Sequence, residues 1–122
     1  MKIISDTAHG ILDYLTVAIF ALAPGILGLT GVAALVSYAL AAIHLAMTLL
    51  TNMPLGVFKI IPMRLHALVE MLVGPVLVVA ALVPTLLGDK REFFLVMGLV
   101  ILVVWLLSSY GHPAVARQPH ST

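Results

Sequence analysis

The chain has 122 residues, enough for one domain and not two. Hydrophobic residues make up 62% of it and charged residues only 9%, against about 25% charged in a soluble domain, so its solvent is expected to be largely lipid. A formal net charge of +1 without basic, aromatic-interleaved runs leaves no case for nucleic-acid binding, and the absence of cysteine excludes disulfides, thiolate metal sites and cysteine nucleophiles.

Apolar runs broken by Pro, Gly and charge divide the chain into four expected transmembrane helices. The first runs from about Thr7 to Ala23; Ser5 or Asp6 can cap its start, and Pro24-Gly25 is expected to end it. His9 and Asp13 lie inside this run and no small-residue cleavage site follows it, so it reads as a retained helix rather than a secretory signal. The second runs from about Gly31 to Thr51 and stops at Asn52-Met53-Pro54. The third starts at Pro62, a favourable first-turn residue, and runs to about Val83. The fourth runs from about Glu92 to Tyr110, where Tyr110 suits an interfacial anchor, and the polar tail 113–122 is expected to fray. Each run is close to the ~20 residues that cross ~30 Å of hydrocarbon, and none alternates as a strand would.

Four crossings put both termini on one side, together with Lys2, Lys59, Arg64 and Arg117. Lys90 and Arg91 on the other side are offset by Asp89 and Glu92. The positive-inside rule then favours cytoplasmic termini. The plain role for Lys59 and Arg64 is contact with anionic headgroups.

The halves of the chain match. His9-Gly10-Ile11-Leu12-Asp13-Tyr14 aligns with His66-Ala67-Leu68-Val69-Glu70-Met71, and Leu49-Leu50-Thr51 with Leu106-Leu107-Ser108. Pro24-Gly25-Ile26-Leu27-Gly28 aligns in turn with Pro84-Thr85-Leu86-Leu87-Gly88. The expected fold is an all-α integral membrane four-helix bundle of two tandem hairpins, repeat one spanning about 5–52 and repeat two about 62–110. Repeats with an even number of helices are parallel, related by an axis along the membrane normal.

The run from His9 to Tyr14, together with Leu55-Gly56, Lys59, Ile61-Pro62-Met63 and His66, resembles the bacterial SPW-repeat membrane proteins. The likeness covers nearly the whole stretch from His9 to Gly88. The name-giving Ser-Pro-Trp element reads Ala23-Pro24-Gly25 and Val83-Pro84-Thr85 here, and Glu70 stands where Asp is more typical. The resemblance implies this architecture and no particular activity.

Five polar residues fall where the membrane makes them costly. His9 and Asp13 are four apart and share a helix face, and His66 and Glu70 repeat the unit. Counting ~1.5 Å per residue from the helix ends puts Asp13, His44 and Glu70 at one depth, with His9 and His66 a turn nearer the surface. Buried ionisable groups face the bundle interior and pair. Imidazole with carboxylate and no thiolate suits zinc, iron, manganese or copper(II), so the leading reading is a metal site of His9, Asp13, His44, His66 and Glu70.

Other readings stay open. Haem on His44 and His66 (or His9) ranks lower, because two carboxylates beside the iron are unusual. The cluster can also handle protons or small solutes, or serve packing alone, since polar pairs in membranes contribute only about 1 kcal/mol. Ser37, His44 and Thr51, with Thr48 beside them, form a stripe that lines a wet cavity or simply bonds its own backbone. Met47, Met63, Met71 and Met97 read as core filler rather than copper ligands, and Gly98 and the Ala-Ala pairs as close-packing positions. His112 and His120 lie in the tail. The partners expected are the lipid bilayer and, for so small a bundle, further copies of the chain, whose shared groove is one place for the ligand. No motif identifies a reaction.

Overall fold

The computed structural model describes residues 3–108, which form four α-helices in chain order. These are α1 (Asp6–Leu27), α2 (Gly31–Leu50), α3 (Met63–Leu82) and α4 (Arg91–Leu107), with a 3₁₀ turn (Gly88–Lys90) before the last. No strand is present among the described residues; two isolated bridges, Ile4 with Ser108 and Thr51 with Ile61, are the only extended pairings there.

Most ends follow local chemistry. Ser5 caps α1, its hydroxyl accepting from the Ala8 amide at 3.2 Å. Pro62 precedes the first turn of α3, as its missing N–H allows. The carbonyls of Leu49 and Leu50, orphaned at the end of α2, accept from the amides of Val57, Phe58, Ile60 and Ile61 in the following loop.

Pro24 departs from expectation. α1 continues through it to Leu27 and closes on Gly28, which takes a left-handed φ of 70°. Proline in a helix removes one bond to the carbonyl four residues back, here Phe20. Ser37 on α2 supplies the replacement, its hydroxyl donating to the Phe20 carbonyl at 2.6 Å. A Ser37→Ala variant is expected to lose about 1–3 kcal/mol by orphaning that buried carbonyl, measurable by thermal unfolding in micelles.

The fourth helix is shorter than the sequence suggested, closing at Leu107 with Ser108 as its C-cap. Tyr110, His112, His120 and the tail lie outside the described residues.

α1 packs on α2 and α3 on α4, giving two hairpins. Phe20 of the first meets Phe93 of the second edge to face, centroids 5.7 Å apart. Within the second hairpin the backbones touch: a β-carbon on Gly98 would lie 2.8 Å from Val78 Cγ2 and 3.0 Å from the Gly74 carbonyl oxygen. Gly98→Leu is therefore expected to force α3 and α4 apart at a cost of about 1–3 kcal/mol, read as a lower unfolding midpoint. Ala33, Ala41 and Ala81 are buried, and Met97 packs in the core.

The distribution of polarity is inverted relative to a water-soluble protein. Ile11, Leu15, Ile19, Leu22, Leu68, Leu72, Val76 and Val79 face outward, while His9, Asp13, Ser37, His44, Thr48, Thr51, His66 and Glu70 are buried. α1, α2 and α3 are long and apolar enough to cross a membrane. α4, with 17 residues, sits at the short end of the usual range of about 17–25.

Candidate functional site

The site is built by the starts of α1 and α3. His9 and Asp13, and His66 and Glu70, lie one turn apart on their helices. One ligand atom from each of the four lies within 4.8 Å of the others, and all four residues are buried. His9 Nε2 is 3.2 Å from Asp13 Oδ2 and 3.2 Å from Glu70 Oε1. His66 Nε2 is 3.0 Å from Asp13 Oδ2 and 3.0 Å from Glu70 Oε2. The two imidazoles stand edge to face, centroids 5.4 Å apart. Each carboxylate thus bridges both histidines rather than serving only the one on its own helix.

His44 arrives from α2 and approaches the same carboxylates from farther away. Its Nε2 is 3.6 Å from Glu70 Oε2 and 4.0 Å from Asp13 Oδ1. All five residues named from the sequence therefore converge, four tightly and one beside them.

The outer ring nitrogens are held by hydroxyls. His66 Nδ1 is 2.7 Å from Thr51 Oγ1, and the Thr51 hydroxyl donates its own proton to the Met47 carbonyl at 2.5 Å. A hydroxyl has one proton, so at His66 it must accept: Nδ1–H donates to Thr51. His9 repeats this with Ser108. Its Nδ1 is 2.7 Å from Ser108 Oγ, whose proton goes to the Val104 carbonyl at 2.6 Å. With Nδ1 protonated in both rings, each neutral imidazole turns the Nε2 lone pair toward the carboxylates. Asp13 Oδ2, among these atoms, is buried without a hydrogen bond of acceptable geometry.

The two arms of the site correspond residue for residue. His9 and His66 are 57 positions apart (66 minus 9), and so are Asp13 and Glu70, and Thr51 and Ser108. The Ile4 amide donates to the Leu107 carbonyl and the Ile61 amide to that of Leu50, both at 2.8 Å and at the same spacing. Each His helix is clipped, through the residues before it, to the helix end whose hydroxyl orients its histidine.

The loop between the hairpins braces α1. Tyr14 donates to the Leu55 carbonyl at 2.9 Å, and Leu55 packs so closely on Gly10 that a β-carbon there would be 3.1 Å away. Gly56 presses on the Thr51 carbonyl, leaving no room for a side chain. Lys59 adopts a φ of 53° and donates to the Met53 carbonyl, so its ammonium locks this loop.

Sequence reasoning gave Ser108 no role and read Thr51 only as part of a polar stripe. The signal was present in the matched Leu-Leu-Thr and Leu-Leu-Ser. The stripe on α2 is buried, but Thr48 and Thr51 donate to carbonyls of their own helix. The cavity beside it measures only about 10 Å³. The chain matches no protein-family model, and no curated protein or solved structure matches it either.

Proposed function

We propose that this chain is a multi-pass membrane protein whose bundle binds one divalent transition-metal ion through His9, Asp13, His66 and Glu70. The carrying observation is the geometry: the hydroxyls of Thr51 and Ser108 occupy Nδ1 of His66 and His9, and the Nε2 of both rings faces two carboxylates, where a neutral ring offers its lone pair to an ion. Metal-ligating histidines use the second nitrogen this way, which fixes the ring and raises its basicity. The spacing agrees. Ligands about 2.0–2.2 Å from a tetrahedral ion lie about 3.3 Å from one another, and the Nε2–oxygen separations here are 3.0–3.2 Å.

Charge supports one ion rather than two. A dication with two carboxylates is neutral, whereas a second ion would leave uncompensated charge in a low-dielectric bundle. The donor set fits zinc, iron, manganese or copper(II). Haem on His44 and His66 is not favoured, since the adjoining cavity has room for about one water and not for a macrocycle.

The correspondence at 57 residues supports descent of the hairpins from one ancestral hairpin, in keeping with the SPW-repeat resemblance, whose residues Gly10, Tyr14, Leu55, Gly56 and Lys59 brace one another. Lys59 and Arg64 beside the site favour the cytoplasmic face of a bacterial inner membrane.

One other reading has an observation of its own. Two imidazolium rings with two carboxylates are also neutral, and 3.0–3.2 Å suits N–H···O bonds, so the cluster can store protons instead. Elemental analysis with an absorption spectrum of the gently extracted protein separates these. About one equivalent of metal without a Soret band is expected. Stable protein free of metal would favour proton storage.

A further inference from the structure

The matched arms differ beside the carboxylates. His44 and Thr16 are polar, while the residues 57 positions on are Ile101 and Val73. A cavity of about 10 Å³ opens at this point, walled on one side by Asp13, Thr16, His44 and Glu70 and on the other by Val100 and Ile101 of α4. Its volume admits about one water-sized group. His44 Nε2 stands across it, 0.6 Å (3.6 minus 3.0) farther from Glu70 Oε2 than His66 Nε2 is.

We infer that His44 is not a ligand but the positioning residue for an open coordination position on the ion, filled by water or by a small anion. The inference rests on the metal reading above and deepens it. A structural metal site is closed by its protein ligands, whereas a reactive one keeps a position for an exchangeable group. Here the four ligands come from α1 and α3, and the asymmetric residue on α2 lines the side they leave open. His44 supplies the polar partner a bound water or anion needs, and the Thr16 hydroxyl, whose own proton goes to the Leu12 carbonyl at 2.8 Å, can accept from a bound water. The hydrocarbon wall opposite restricts the enclosed part of the ligand to about the size of a water, so that only water or a slim anion entering end-on fits.

The test is full-length protein in micelles loaded with cobalt(II), titrated with sodium azide and followed by visible absorption. Wild type is expected to hold about one cobalt and to change its spectrum saturably with azide. His44→Leu should keep its cobalt but bind azide about tenfold more weakly, and His44→Gln, which keeps a donor, should recover to within about threefold of wild type. Loss of cobalt from His44→Leu would make His44 a ligand and overturn the inference. So would an azide-insensitive wild type that still holds cobalt, or a His44→Leu variant with unchanged azide affinity. Failure of wild type to take up cobalt removes this inference and the metal reading together.

Discussion

Replacing Glu70 by glutamine is expected to abolish stoichiometric metal binding, with affinity falling by at least about a hundredfold. Glu70 approaches all three histidines, His66 at 3.0 Å, His9 at 3.2 Å and His44 at 3.6 Å. The amide keeps the shape but removes one of the two charges that neutralise the ion. The bound complex is then left with net positive charge inside the membrane, which costs several kcal/mol. Metal content after dialysis against a weak chelator reads this directly. Stability gives a second readout, because a ligand at a hundred times its dissociation constant stabilises the folded state by about 2.7 kcal/mol. Chelation should lower the unfolding temperature of wild type and leave Glu70→Gln unmoved. A Glu70→Gln protein that keeps its metal would remove the carboxylate from the ligand set.

The second large effect concerns residues that touch no ligand position. Thr51→Val and Ser108→Ala should each weaken metal binding about 10–100-fold, by releasing the ring that their oxygen holds in register. The two losses should be similar, since Thr51 Oγ1 and Ser108 Oγ make the same 2.7 Å contact to equivalent histidines. Thr48→Val is the control: that hydroxyl is as buried but donates to the His44 carbonyl of its own helix, and its loss should leave metal affinity within about threefold. Competition titration against a chromophoric chelator measures all three. Equal effects from Thr48 and Thr51 would mean the hydroxyls act only on packing.

Much of this was readable from the residues, for reasons that differ by element. The helices follow from length and hydropathy, and the bilayer reading from the scarcity of charge. The buried cluster follows from cost: an ionisable group in an apolar run has to find partners, and the spacing of four puts His9 with Asp13 and His66 with Glu70. What sequence did not reveal depends on distances between helices. Pro24 reads locally as a stop, and only the Ser37 hydroxyl from α2 makes its passage tolerable. The proton on each imidazole is likewise set by a residue from the opposite hairpin. Periodicity cannot say which carboxylate serves which histidine, and the answer, that each serves both, emerges only when α1 and α3 stand side by side.

The crossed assignment of orienting hydroxyls bears on how the protein is made. Thr51 of the first hairpin holds His66 of the second, and Ser108 of the second holds His9 of the first. A nascent chain with only its leading hairpin in the bilayer owns His9, Asp13 and His44 but neither Glu70 nor the group that fixes His9. It cannot assemble the four-residue site by itself. On the proposed metal reading, capture of an ion therefore follows the synthesis of Ser108 and the docking of the second hairpin on the first.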